Sequence, residues 1–199
     1  MIFYPGILVD HMAYAMILGK LSDMGILVLL VNAEPNRVCS EIASIDHIKR
    51  LRFEISTLMD ITVKEWILGG HSLGGIISSS LFMKDDVVVD DIHITRLVQW
   101  ATPDSLNLRR DGSGLRSVLR VNGSCDGIIV PSDKGIIYSQ SKVPKDCTLK
   151  VITIQNGNHS GFAHYGPQFF PHPDWERGIT LDEQQTQVVQ ITSDYILEK

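Results

Sequence analysis

Short apolar runs alternate along this chain with longer segments in which apolar residues recur every three or four positions. The short runs predict strands, and the longer periodic segments predict amphipathic helices. The strands are predicted at residues 2–4, 26–31, 66–68, 97–101, 117–122 and 150–154. This alternation predicts an α/β fold, a three-layer sandwich whose mostly parallel central sheet of about six strands is covered on both faces.

The ends of the predicted helices are marked by residues with known end preferences. A helix over residues 10–24 should stop at Gly25, and a long helix is predicted over residues 39–59. The last helix should begin near Thr180, because its three-residue spacing to Glu183 is that of a capping box.

The strand at 66–68 leads into Gly70-His71-Ser72-Leu73-Gly74, a G-x-S-x-G motif followed by an apolar, serine-rich helix. A strand, a sharp turn and a helix around this motif form a nucleophile elbow, which projects the serine hydroxyl above the sheet. Gly70 and Gly74 are expected because a side chain at either position would collide with neighbouring backbone. The alternative is a glycine-rich turn that binds phosphate at a helix N-terminus, but no G-x-G-x-x-G or G-x-x-x-x-G-K-[ST] pattern accompanies it.

Composition limits the classes of protein to consider. The chain has 199 residues, of which 44% are hydrophobic, enough for one substantial core in a single domain over residues 1–199. Its net charge of −5 is mild, which argues against nucleic acid or an anionic membrane surface as the main partner. No membrane-spanning segment or signal peptide is predicted. Three cysteines without metal-ligand spacing favour free thiols and a cytoplasmic protein.

A serine hydroxyl is a weak nucleophile at neutral pH, so the elbow requires a histidine base and a carboxylate that orients it. Asp126 lies directly after the strand predicted at 117–122, and His159 lies after the strand predicted at 150–154. Both should therefore stand at the carboxyl edge of the sheet, where Ser72 is expected. Asp104 is the alternative acid and His164 the alternative base.

With these three sites, the chain resembles a small member of the α/β-hydrolase superfamily, with the first two strands of that fold missing. The resemblance covers nearly the whole chain. Within the superfamily, the chain is most similar to a branch that is poorly characterised. It implies Ser72 as the nucleophile, His159 as the base and Asp126 as the residue that orients the imidazole. It also implies an oxyanion hole formed by the backbone N–H groups of Leu73 and Ile7, with Gly6 as the alternative donor to Ile7.

The activity implied is that of a serine hydrolase acting on a small carboxylic ester through an acyl-enzyme, with no cofactor. Thioesters and amides are the nearest alternatives, because the same groups serve all acyl transfer. A non-catalytic ligand-binding or interaction protein on the same scaffold is the alternative from another class. A metal site built from His159, His164, His172 and Asp174 matches no established ligand spacing, so no metal is predicted.

Three further expectations concern the surroundings of this site. His71 should pack beneath the elbow and point away from the Ser72 face. Residues 162–175, rich in aromatic residues and proline, should border the pocket. Only about 15 residues separate the strands ending near Ala101 and beginning near Ser117, so the lid should be minimal and the pocket open to small or extended esters.

The sheet should have one vulnerable edge. The continuous apolar run at 26–31 is typical of a central parallel strand, yet without the two missing strands it would lie at an edge. A helix or a partner is then expected to cover it, or the native chain begins earlier. The oligomeric state is left open.

Overall fold

A computed structural model describes residues 1–32, 44–63, 65–83, 92–104, 107–109, 113–129 and 140–198. Its strands, in chain order, are β1 (Ile2–Tyr4), β2 (Leu29–Leu30), β3 (Trp66–His71), β4 (Ile94–Trp100), β5 (Ser117–Gly123) and β6 (Thr148–Ile154). Its α-helices are α1 (Ala15–Asp23), α2 (Ile45–Met59), α3 (Leu73–Met83) and α4 (Leu181–Ile196). Short 3-10 turns occupy His11–Tyr14, Gln140–Lys142 and Ser160–Phe162.

The six described strands form one sheet in the order β2-β1-β3-β4-β5-β6, and every neighbouring pair is parallel. Parallel strands need crossovers, and the helices that make them cover both faces of the sheet. One apolar cluster joins the sheet to α2 and α3, and the other joins it to α1 and α4. The predicted α/β three-layer sandwich is confirmed.

The carboxyl ends of β1, β3, β5 and β6 lie at the same edge of the parallel sheet, and the predicted site residues follow these ends. The first strand ends at Tyr4 and continues into Gly6, while β3 ends at His71 and continues into Ser72. Asp126 follows the end of β5, and His159 follows the end of β6. Four segments far apart in sequence therefore converge at this edge.

The apolar run at 26–31 has the composition of a central strand, but it lies at an edge of the described sheet, as expected if the first two strands of the fold are missing. Only Leu29–Leu30 forms strand, and it pairs with β1 at the end of the described sheet. The run is apolar throughout because its side chains alternate between the two helical layers. Leu27, Leu29 and Val31 pack into the cluster with α2 and α3, and the residues between them pack into the other. Coverage of both faces, and not a central position, explains the pattern.

The predicted ends of the first two helices and the start of the last are confirmed to within one residue, but α1 begins at Ala15, after a 3-10 turn, and not at residue 10. Glu183 and Thr180 form the capping box at the start of α4, and Gly25, with φ of 86°, follows the end of α1. The second helix begins at Ile45, because Ser44 is extended and its side chain accepts a hydrogen bond from the His47 N–H. Residues 39–43 of the predicted helix, including Cys39, lie outside the described residues.

The described residues bear on three other expectations, which concern the lid, membrane-spanning segments and the cysteines. The connection between β4 and β5 includes residues 105–106 and 110–112, which lie outside the described residues, so the minimal lid stays a prediction. Across the described helices, none has both the length and the apolar character needed to cross a bilayer.

Cys125 and Cys147 form no disulfide within the described part of the chain.

Candidate active site

Ser72 occupies the turn between β3 and α3 in a left-handed backbone conformation, with φ of 53°. A non-glycine residue rarely adopts this conformation, which costs on the order of 1–3 kcal/mol and persists only where the surroundings enforce it. One restraint is the hydrogen bond of 2.9 Å from the Ser72 N–H to the carbonyl of Trp100, at the end of β4. The strand, sharp turn and helix expected from the motif are present.

The glycines on either side of the serine allow this turn to close. A Cβ on Gly70 would overlap the backbone of Gly74, and a Cβ on Gly74 would overlap the backbone carbonyls of Tyr4 and Pro5. Because those obstacles are backbone atoms, no rotamer change could relieve the overlap. The two glycines therefore permit α3 to pack directly against β1 and β3.

The carboxylate of Asp126 and the imidazole of His159 form a buried pair. Asp126 Oδ2 lies 2.9 Å from His159 Nδ1, and the two side chains are 2% and 1% exposed. The other carboxylate oxygen accepts hydrogen bonds from the N–H groups of Ile128, at 2.9 Å, and Ile129, at 2.6 Å. An ionised carboxylate can only accept, so this contact suits the tautomer with the proton on Nδ1, in which Nε2 of a neutral imidazole presents a lone pair.

His159 Nε2 is buried and has no hydrogen-bond partner among the described residues. The hydrogen bond between Ser72 and His159 is therefore not made in this structure. The two residues nonetheless belong to one cluster, because the ring of His71, which directly precedes Ser72, lies 4.6 Å from the His159 ring. The structure thus joins Asp126 to His159 and places an unused basic nitrogen close to the elbow.

The alternative acid and base have other partners. Asp104, whose side chain is 4% exposed, pairs with Arg120 at 2.9 Å and with Lys142 at 2.8 Å. His164 is exposed, and its Nδ1 lies 3.3 Å from the side-chain amide of Gln185. Among the described residues, no group of three or more potential metal ligands comes together, so His159, His164 and Asp174 are not gathered with His172 into such a group.

In the loop after β1, one of the two candidate oxyanion-hole N–H groups already donates a hydrogen bond within the protein. Gly6 N–H donates to the hydroxyl of Tyr14 at 3.0 Å, so this group is committed to the protein. Ile7, the next residue, lies in an exposed turn, and Leu73 is the first residue of α3. The first N–H groups of a helix have no partner within the helix and are suited to a negative charge. Of the two alternatives in this loop, the geometry favours Ile7 over Gly6.

His71 is buried, as expected, but it does not point away from the other functional groups. Its Nδ1 lies 2.7 Å from the Tyr14 hydroxyl, and its ring stacks with Phe162 as well as contacting His159. Burial, reinforced by the neighbouring His159, lowers the pKa of His71 well below its usual value. The imidazole of His71 is therefore neutral at physiological pH and serves as packing against His159.

Helix α4 holds the turn that carries His159, a role that sequence reasoning missed. Gln184, fully buried, accepts a hydrogen bond from the Asn158 N–H at 3.1 Å and donates to the Asn158 carbonyl at 2.8 Å. A Cβ on Gly161 would overlap the Gln184 side chain, so the turn lies close against the helix. No local pattern reveals this contact, because its partners lie about 26 positions apart.

A cavity of about 530 Å³ lies beside the same turn. Its lining includes Asn158, Phe169, Trp175 and Arg177, which combine aromatic and charged side chains. Part of the 162–175 segment therefore borders a cavity, while Phe162 at its start is buried in the core.

Comparisons with known proteins agree with this architecture. A family described as "Alpha/beta hydrolase family" matches residues 1–186. No match is found among curated proteins. The fold is similar to that of a truncated carbohydrate esterase from gut microbiota, with 14% identity and a TM-score of 0.61 over 99% of this chain and 84% of that one.

Two other solved structures have a similar fold, with comparable sequence identities and TM-scores. A monoacylglycerol lipase from Paleococcus ferrophilus has 13% identity and a TM-score of 0.54 over 96% of this chain and 93% of its own. A thioesterase of the prodiginine biosynthetic pathway in Streptomyces coelicolor has 11% identity and a TM-score of 0.57 over 96% and 85%. At these identities, the similarity establishes a shared fold.

Proposed function

Because this chain belongs to the alpha/beta hydrolase family, we propose that it is a serine hydrolase that cleaves carboxylic esters through an acyl-enzyme on Ser72. The observation that carries the proposal is the 2.9 Å contact between Asp126 and His159, which leaves a buried, unused Nε2. A neutral imidazole held in this tautomer is a suitable base for a serine on an adjacent elbow.

The reaction would proceed in two stages. In the first, Ser72 Oγ attacks the acyl carbon while His159 Nε2 takes its proton, and the imidazolium then protonates the departing alkoxide. Asp126 stabilises the imidazolium through the Nδ1 hydrogen bond. In the second, His159 activates a water that releases the acid and regenerates the serine. No step needs a metal or an organic cofactor.

Ser72 Oγ must come within hydrogen-bond reach of His159 Nε2 for the first proton transfer. Such hydrogen bonds are often long or misaligned without substrate and tighten in the reacting complex. We propose that the Ser72 side chain rotates about its Cα–Cβ bond when substrate binds, and that this rotation completes the hydrogen bond.

The developing negative charge on the substrate oxygen would be stabilised by the N–H groups of Leu73 and Ile7. The N–H of Leu73 stands at the start of α3, where the helix dipole favours negative charge. The Ile7 N–H is assigned because Gly6 N–H already donates to Tyr14. Removing one such donor typically costs about 100- to 1000-fold in kcat.

A fluorophosphonate probe tests the nucleophile directly, because it phosphonylates an activated serine. Wild-type protein should be labelled on Ser72, and Ser72→Ala should lose the label while keeping its circular dichroism spectrum. Ser56→Ala is the matched control, since Ser56 is an exposed helical serine, and it should be labelled as wild type.

Turnover of p-nitrophenyl esters then tests the substrate class. Hydrolysis by wild type and by Ser56→Ala, but not by Ser72→Ala, is the expected result. A faster rate with matched thioesters would assign a thioesterase, a class to which one structural neighbour belongs. Folded wild-type protein that neither takes the label nor turns over any ester would contradict catalysis and favour a ligand-binding role on the same scaffold.

A further inference from the structure

The side chain of Asp174 binds the two turns that carry the proposed acid and base. Its Oδ1 accepts hydrogen bonds from the N–H groups of Gly127, at 2.9 Å, and His159, at 3.3 Å. Its Oδ2 accepts a third from the N–H of Ser160, at 2.8 Å. Gly127 directly follows Asp126, so one carboxylate bridges the turn after β5 and the turn after β6.

The segment around Asp174 is itself closely packed against both turns. The side-chain amide of Asn158 donates to the Trp175 carbonyl at 2.7 Å. On the other side, a Cβ added to Gly127 would come within 2.6 Å of the Trp175 backbone nitrogen, closer than real Cβ contacts allow. The Asp174 N–H donates to the Gln168 carbonyl at 2.9 Å. This hydrogen bond holds the backbone of Asp174 to an earlier part of the same segment.

The chemistry of these contacts requires a carboxylate. The N–H of Trp175 also donates to Oδ1, at 3.0 Å, so all four partners are backbone N–H donors. An ionised carboxylate offers two accepting oxygens to receive them. Hydrogen bonds to a charged acceptor are shorter and stronger than those between neutral groups. An asparagine would keep one accepting oxygen but would turn an NH₂ group toward an N–H donor, losing at least one contact.

We propose that Asp174 is a positioning residue, which sets the distance between the Asp126 carboxylate and the His159 imidazole. This role rests on the proposed function for its effect on turnover, although the geometry it controls exists whether or not the protein is a catalyst. Without the bridge, the turn after β6 is still held by Gln184 and by the 2.7 Å hydrogen bond from the Cys125 N–H to the Gly157 carbonyl. The backbone of Gly127, next to Asp126, and the backbone of His159 would then no longer share an acceptor.

Asp174→Asn should therefore lower kcat far more than it changes KM. Misplacing a catalytic group by about 1 Å can cost about 100-fold in rate, so a loss on the order of 10- to 100-fold is expected. KM should change little, because none of the four N–H donors held by Asp174 is a proposed oxyanion donor. Glu176→Gln is the matched control, since it removes the same charge from an exposed neighbour in the same segment, and it should behave as wild type.

A spectroscopic measurement separates this proposal from the proposed function. The proton on His159 Nδ1, bonded to a buried carboxylate, should give a strongly downfield proton NMR resonance that disappears in His159→Gln. In Asp174→Asn this resonance should move upfield or broaden by faster exchange, while in Glu176→Gln it should not change. The measurement needs no substrate, so it remains informative if the protein hydrolyses nothing.

The outcomes are distinct. Folded Asp174→Asn that has lost thermal stability but keeps the wild-type resonance and kcat would show a purely structural role and overturn the proposal. If Asp174→Asn does not fold, Asp174→Glu retains the charge but displaces the carboxylate by one methylene. It should then give a shifted resonance and an intermediate kcat, and wild-type values for both would equally overturn the proposal.

Discussion

The hydroxyl of Tyr14 lies 2.7 Å from Nδ1 of His71, and both side chains are buried. The same oxygen accepts the Gly6 N–H, so the hydroxyl proton is available to donate to His71 Nδ1. This arrangement suits a neutral imidazole that carries its proton on Nε2. One tyrosine thereby connects the loop after β1 to the residue that precedes the proposed nucleophile.

Stability should fall in acid because His71 is held neutral. Its folded-state pKa is lowered well below the usual value, first by burial and then by the neighbouring His159. Below the unfolded-state pKa of about 6.5, the unfolded chain binds a proton that the folded chain does not. The free energy of unfolding should therefore decrease as pH drops below about 6.5, by up to about 1.4 kcal/mol per pH unit from this one group.

Urea denaturation from about pH 8 to about pH 5 checks this prediction. His71→Asn, which keeps a polar atom near Tyr14, should be less stable than wild type at the upper end and should lose less stability in acid. His172→Asn, at an exposed histidine, should follow the wild-type profile. A constant difference between wild type and His71→Asn across the range would contradict the prediction.

Gly74 and Gly19 should respond in opposite ways to the same substitution. Gly74→Ala places a Cβ into the carbonyls of Tyr4 and Pro5 and should destabilise by at least about 1–3 kcal/mol. Gly19 lies inside α1 with open space around it, so Gly19→Ala should stabilise by about 0.5–1 kcal/mol. Urea midpoints give both values, and a stabilising Gly74→Ala would contradict the close packing of the elbow.

Substitution of Asp104 should lower the stability of the protein, whereas substitution of Asp126 should lower kcat. Asp104→Asn removes the charge that pairs with buried Arg120 and should destabilise by about 3–5 kcal/mol, with little effect on kcat where the protein stays folded. Asp126→Asn should lower kcat by about 10,000-fold, because it no longer holds His159 in the required tautomer. A comparable loss of kcat in folded Asp104→Asn would mean that the acid had been assigned to the wrong residue.

Several features of the site were predictable because they arise from contacts between near neighbours in sequence. The turn at Ser72 follows from the spacing of Gly70 and Gly74, and the start of α4 follows from Thr180 and Glu183. The positions of Asp126 and His159 at strand ends followed from the same alternation of strands and helices that predicted the α/β sandwich. For these features, the determining interactions lie within a few residues or follow a simple period.

Other features depended on how distant segments pack. Asp104 and Asp126 both follow strands, and only the folded chain shows that Arg120 and Lys142 bind the first while His159 contacts the second. The apolar composition of the run at 26–31 does not distinguish an edge strand from a central one, because both faces of the sheet are covered. Its edge position was expected only from the resemblance to a known fold, and the strand order confirms it.

The amino-acid sequence by itself therefore determined the alternating layers, the elbow at Ser72 and the candidate acid and base, because local sterics and periodicity encode them. Only the tertiary structure decided which groups support that chemistry. Tyr14 meets His71 across 57 positions, and Asp174 meets Gly127 across 47. Hydrogen bonds over such separations depend on the register and packing of whole elements, which no local pattern specifies.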